Sequence, residues 1–151
     1  MNRTLVILKP DAVQRRLCGA ILRRFEEKGL KIVGMKMSVI PRSLAEEHYE
    51  AHSEKPFYES LLGFMTAGPV VFLVIEGARA VRVVRDMMGK TFGYEAAPGT
   101  IRGDFGISSQ FNLIHGSDSP ESAVREIELF FAPGELVEYG MVDDGWMADG
   151  S

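Results

Sequence analysis

Two segments of the chain, Leu5-Val-Ile-Leu8 and Val70-Val-Phe-Leu-Val-Ile75, are apolar at every position. Successive side chains of a strand point to opposite faces, so a strand that is apolar at odd and even positions alike has to be covered on both sides. The longer run is far short of the roughly 20 residues that cross a bilayer, so these are buried strands of a layered fold and not membrane spans. Helices supply a cover for one face. A second copy of the chain is an economical cover for the other, and a homo-oligomer is expected.

The intervening sequence supplies the helices. Leu17, Ile21, Leu22 and Phe25 recur at helical spacing over residues 17–28, and Gly29 is a natural stop. Residues 31–40 alternate as a second strand ended by Pro41. Ser43-Leu-Ala-Glu46 has the pattern of a capping box opening a short helix that carries Tyr49. Residues 57–65 read as a further helix, closed by Gly68-Pro69. Residues 78–88 read as another, with Val81, Val84 and Met88 on one face. Residues 93–103 are rich in Gly and Pro and read as irregular. Residues 111–114 read as a short fourth strand, and Ser119-Pro120 caps a last helix running to Phe131. The order β-α-β-α-α-β-α-loop-β-α fits an α+β fold: a ferredoxin-like four-stranded antiparallel sheet with helices packed on one face and around it. No repeat or linker interrupts it, so residues 1–151 are expected to form a single domain, with 143–151 a loose C-terminal tail.

Charge narrows the function. Seventeen Lys and Arg against 21 Asp and Glu give a net charge of −4, and the basic residues are scattered. A surface dedicated to nucleic-acid backbone would be basic. A local cationic pocket for one small anion remains compatible. Cys18 is the only cysteine, which excludes an intrachain disulfide and suits a reducing cytosol. The first apolar run is too short for a signal peptide. A cytoplasmic protein with no membrane partner is expected.

The segment Asn112-Leu-Ile-His115-Gly-Ser117-Asp118-Ser119 is the richest in chemistry. A histidine follows an apolar strand, and Gly116 lets the chain turn so that the imidazole sits at the sheet's end. Neutral imidazole carries one free lone pair and one N–H, and a carboxylate is the usual partner that orients the N–H. Glu126, at the edge of the Ala123/Ile127/Phe130 stripe, is the candidate, with Ser117 as a link. A histidine in an ordinary Gly-Ser-Asp turn would look the same. Lys9 ends a buried strand, Arg85 and Arg102 flank the irregular loop, and Thr91 lies between them; converging, they would clamp phosphate through ammonium and planar guanidinium groups. Taken singly, each arginine is an ordinary surface charge, and Lys9 a strand-end lysine that snorkels to solvent. Tyr49 and Phe57 fit core packing, while Phe57 next to Pro56 also fits stacking on a base.

Other patterns fit less well. Gly89-Lys90-Thr91 suggests a phosphate-binding loop, but the glycine required five residues before Gly89 is Val84. His48 and His52 stand at i and i+4, yet the Glu is misplaced for a metalloprotease helix and no third ligand follows, so they read as two exposed or lightly packed histidines. An RNA-binding sheet would carry exposed aromatics on a basic face, where these strands carry Val, Ile and Leu.

Together these segments resemble the nucleoside diphosphate kinases from Thr4 to about Val142. The resemblance is carried by Ile7-Leu-Lys9-Pro-Asp11-Ala-Val13-Gln, Glu47-His-Tyr49, Pro56-Phe57, Ala67-Gly68-Pro69-Val, Pro98-Gly99-Thr-Ile-Arg102-Gly-Asp104-Phe and Asn112-x-x-His115-Gly-Ser117-Asp118-Ser119-x-Glu121-Ser-Ala. It implies ping-pong transfer of the γ-phosphoryl group from a nucleoside triphosphate such as ATP to a nucleoside diphosphate, through a phosphohistidine on the pros nitrogen of His115. It implies that Ser117 and Glu126 position His115, and that Lys9 and Tyr49 join the catalytic set. Lys9, Arg85, Thr91, Arg102 and Asn112 would hold phosphates and sugar, and Phe57 would stack on the base. Mg2+ would arrive on the nucleotide's phosphates, with no dedicated protein ligands. A homo-oligomer is implied, a hexamer ahead of a tetramer. The chain departs from the family at Phe92-Gly93-Tyr94, where Asn-Pro-Ala is common, and at Gln110-Phe111, while Gly145-Trp146 resembles the tails of hexameric members. A non-catalytic nucleotide-binding scaffold of the same fold would normally have lost His115 or a phosphate-clamping residue; this chain keeps all of them.

Overall fold

The computed structural model describes residues 2–148. In chain order the elements are β1 (Asn2–Leu8), α1 (Pro10–Gln14), α2 (Cys18–Glu27), β2 (Lys31–Val39), α3 (Arg42–His48), α4 (Tyr58–Met65), β3 (Pro69–Gly77), α5 (Ala80–Met88), α6 (Ile101–Phe105), β4 (Ile114–Gly116), α7 (Pro120–Phe130) and α8 (Asp144–Met147). The sheet runs β2-β3-β1-β4 with every neighbouring pair antiparallel, the ferredoxin-like arrangement expected from the element order. No helix among the described residues is long and apolar enough to cross a membrane.

The two strands that hold the all-apolar runs, β1 and β3, lie at the centre, and their alternation divides the core in two. Leu5, Ile7, Val70, Phe72 and Val74 face Ala45 of α3, Leu62 and Met65 of α4 and Phe130 of α7. Val6, Leu8, Leu73 and Ile75 face Ile21 and Phe25 of α2, Val84 and Met88 of α5 and Ile101 of α6. The chain's own helices therefore cover both faces of β1 and β3, and the partner subunit expected there is not needed for them. Uncovered apolar surface lies further out: Met35, Met37 and Val39 of the edge strand β2 are more than half exposed.

Several local expectations shift. Ser43 does not cap α3; the helix starts two residues earlier, at Arg42, with Pro41 as N-cap and its carbonyl accepting from Leu44 and Ala45. Pro10 does not merely stop β1 but opens α1, the position where its missing N–H has no consequence. The irregular loop contains α6, capped by the Thr100 hydroxyl, which accepts from Gly103 N–H at 3.0 Å. The fourth strand begins at Ile114 and not at residue 111, because Leu113 has φ +75° and Ile114 N–H bonds back to Asn112 C=O at 2.8 Å. That is a γ-turn with positive φ, a strained conformation that breaks an extended run. The C-terminal segment expected to be loose contains α8, whose Asp144 pairs with Lys31 at 3.6 Å; residues 149–151 of that segment lie outside the described residues.

Candidate active site

A cleft of about 660 Å3 opens at the end of β1 and β4. Lys9, Tyr49, Phe57, Arg85, Thr91, Arg102, Asn112, His115 and Glu126 all line it. Ser117, fully buried, lies behind Glu126. The sequence candidates, spread over more than 100 residues, are thus brought together.

Because β4 starts three residues late, His115 sits within it, paired with Ile7 of β1, and does not follow the strand. Gly116 is likewise in the strand. It makes no turn there; a Cβ would lie 2.5 Å from the Met88 sulfur, so a larger residue would have to displace that side chain. His115 Nε2 lies 2.9 Å from Glu126 Oε1, and the Ser117 hydroxyl donates to the same oxygen at 2.7 Å. Burial pushes the Glu126 carboxyl up, but the bonds from His115 and Ser117 outweigh it and hold its pKa below the usual value. An ionised carboxylate only accepts, so the ring proton belongs on Nε2 and the free lone pair on Nδ1. Ser117 Oγ also accepts the Leu5 N–H at 3.1 Å, extending the β1–β4 ladder through a side chain.

The cations are held by backbone oxygens and one amide. Lys9 Nζ donates to Asn112 Oδ1 at 2.7 Å. Arg102, carried by α6, donates to the carbonyls of Asn112, Gly89 and Ile114 at 3.2, 3.1 and 2.6 Å. Burial, reinforced by the Arg102 charge, lowers the Lys9 pKa to about 8. Burial and Arg85 lower that of Arg102 to about 10. Arg85 Nη1 reaches Gly116 C=O at 3.2 Å, and Asn112 Nδ2 donates to Thr91 C=O at 2.9 Å. Burial raises the Tyr49 hydroxyl pKa, with the Glu126 charge adding to it, so the phenol stays protonated as a donor. Phe57 is half exposed at the cleft mouth. Such a site gathers cations able to neutralise several phosphate charges beside an imidazole whose N–H faces a carboxylate.

A family model described as nucleoside diphosphate kinase matches residues 2–136. The chain belongs to the nucleoside diphosphate kinase family. A nucleoside diphosphate kinase of Pyrococcus horikoshii is 59% identical over 152 aligned residues, spanning 99% of this chain and 97% of that protein. The structure of the Halobacterium salinarum nucleoside diphosphate kinase in complex with CDP superimposes with a TM-score of 0.96 at 50% identity, over 98% of this chain and 99% of that one. The Borrelia burgdorferi nucleoside diphosphate kinase, a transition-state mimic with bound vanadate and ADP, gives a TM-score of 0.93 at 37% identity, over 97% and 96% of the two chains. As a nucleoside diphosphate kinase the chain is a phosphotransferase acting on nucleotides.

His48 and His52, given no catalytic role, also line the cleft. His48 and His52 do not share a helix, since α3 ends at His48 and His52 lies on a separate 3-10 turn. His48 is buried and not lightly packed, with its ring edge-on to His115 at 4.8 Å. Burial, with His115 beside it, lowers its pKa to about 3, so it is neutral. One atom each of His48, His115 and Glu126 lies within 4.8 Å of the others. Lys9, Arg85, Arg102 and Arg125 line the same cleft, however, and their field opposes a bare dication there. Asp11, present in the first motif block but given no role, bonds Leu113 N–H at 3.1 Å.

Proposed function

We propose that this nucleoside diphosphate kinase works by ping-pong transfer through a phosphohistidine at Nδ1 of His115. The supporting observation is the 2.9 Å contact between Nε2 and Glu126, which assigns the ring proton and leaves Nδ1 its lone pair. In the first half-reaction that lone pair attacks the γ-phosphorus of a nucleoside triphosphate. The N–P bond forms as the bond to the bridging oxygen breaks, and the nucleoside diphosphate leaves with the bond electrons. The ring gains positive charge while its proton stays on Nε2, facing the Glu126 carboxylate held by Ser117. The second nucleoside diphosphate reverses these steps.

Lys9, Arg102, Arg85, Thr91 and Asn112 would hold the phosphates and sugar, and Tyr49 would donate to the moving group. Catalysis then rests on positioning and charge neutralisation. Phe57 would stack on the base, which is tolerant of base identity. The carboxylates lining the cleft are Glu126 and Asp118. Glu126 is committed to His115, so the donor set is no oxygen cage, and Mg2+ enters with the nucleotide, held by phosphate oxygens and water. Labelled ATP and magnesium should leave an acid-labile, base-stable label on the chain. His115→Ala should abolish both labelling and transfer. Transfer persisting in that variant would sink the mechanism, and a chain that binds nucleotide without taking label would be a scaffold.

The exposed Met35, Met37 and Val39 on β2 support a homo-oligomer; the family resemblance favours a hexamer ahead of a tetramer, and the single cysteine, Cys18, suits the cytoplasm. Sedimentation at micromolar concentration tests it; a monomer would refute it.

A further inference from the structure

The peptide that delivers His115 to the cleft is strained, and nearly everything that restrains it belongs to the site. Leu113 is fully buried with φ +75°, in a γ-turn closed by Ile114 N–H to Asn112 C=O. A non-glycine residue so placed is strained and persists only where its surroundings over-determine it. Arg102 takes the carbonyls of Asn112 and Ile114. The Leu113 carbonyl accepts from Lys9 N–H at 2.8 Å. The Leu113 N–H goes to Asp11 Oδ2 at 3.1 Å, across 102 residues of sequence. Arg102 and Lys9 are cleft residues; Asp11 is not among the side chains lining the cleft.

We propose that Asp11 is a positioning residue of the phosphoryl transfer: its carboxylate, two residues beyond Lys9 on α1, holds the Leu113 amide of the strained turn and so registers the end of β1 against the strand that carries His115. This rests on the phosphohistidine reading above. Two effects are carried by one group. The hydrogen bond fixes the turn, and with it Asn112, whose side chain meets Lys9 at 2.7 Å. The charge supports the protonated amine: burial and Arg102 lower the Lys9 pKa, and Asp11 is the opposing influence. Asp11 is itself raised by burial, with Lys9 acting against that.

Two variants separate these effects. Asp11→Ala removes both, and kcat/KM at neutral pH should fall about tenfold, mainly in kcat, as expected for loss of one buried hydrogen bond at a reacting group. Asp11→Asn keeps an acceptor for Leu113 N–H and removes the charge. Its kcat/KM at pH 7 should recover most of the loss, while the alkaline limb of the pH profile, set by Lys9, moves to lower pH. A purely structural aspartate would not move that limb. Asp11→Ala with unchanged kcat/KM, or Asp11→Asn with an unchanged alkaline limb, would overturn the proposal. If Asp11→Ala does not fold, the Asn profile decides alone. Labelling of His115 in the unmodified chain is read separately, so failure of the phosphohistidine reading is distinguishable from failure of this one.

Discussion

Ser117→Ala removes one oxygen that serves two buried partners. Ser117 and Leu5 are fully buried, and Ser117 Oγ accepts from Leu5 N–H at 3.1 Å while donating to Glu126 at 2.7 Å. Losing the acceptor strands a strand amide that water cannot reach, at about 1–3 kcal/mol. Losing the donor removes a hydrogen bond to a charged group, at roughly 1.5–3 kcal/mol. The two losses share one side chain, and Glu126 keeps its bond to His115, so the sum is best taken as about 3 kcal/mol. With an m-value of about 2 kcal/mol/M in urea, the unfolding midpoint falls by about 1.5 M. The assay is urea unfolding followed by far-UV circular dichroism, with both chains at the same concentration because subunit association would add stability. Activity should fall less than in Glu126→Gln, since Glu126 still receives the Nε2 proton. A change below about 0.5 kcal/mol, the size of a surface substitution, would refute the reasoning.

Three further outcomes follow from the same geometry. The Lys9 pKa is lowered to about 8 in the free chain, and in the proposed mechanism nucleotide phosphate would bind the charged amine. Binding therefore takes up a proton above that pH, and the Kd for a nucleoside diphosphate, measured calorimetrically, should rise as pH climbs through 8, up to tenfold per unit; a flat Kd from pH 7 to 9.5 would contradict it. Glu126→Gln should lower kcat by about 10²–10⁴-fold with little change in nucleotide Kd, because a neutral amide neither fixes the tautomer nor offsets the ring charge; single-turnover labelling measures it. Phe57→Ala should weaken binding of purine and pyrimidine nucleotides alike, by about 1–3 kcal/mol for the lost stacking, with kcat nearly unchanged; loss for one base class only would show that Phe57 discriminates.

What could be read from the residues alone was set by how local the signal is. Strands β1 and β3 announce themselves because an all-apolar run has few alternatives, and α7 because Ser119-Pro120 is a strong cap. Strand β4 was misplaced because Leu113 looks like a strand residue; its positive φ is imposed by Arg102, Lys9 and Asp11, contacts absent from any window around it. Helix α6 was missed within a Gly- and Pro-rich stretch, although Thr100 as its N-cap was a usable signal. The pairing of Glu126 with His115 was legible because helical phase turns that carboxylate inward eleven residues later. The burial of His48 was not, since α3 ends at that residue and tertiary contact with Phe130, 5.2 Å away, decides its environment. An oligomer is expected from β1 and β3, which the chain's own helices cover; exposed apolar side chains lie on β2 and elsewhere, as at Ile107 and Val124.

The most direct test is the position of the phosphorus on the chain. After incubation with ATP and magnesium and removal of nucleotide at alkaline pH, 31P NMR of the protein should show one phosphohistidine, and peptide mapping should place it on His115. Attachment is expected at Nδ1, because Glu126 holds the proton on Nε2. Phosphate on Nε2, on His48 or His52, or on no histidine while transfer proceeds at full rate, would contradict it.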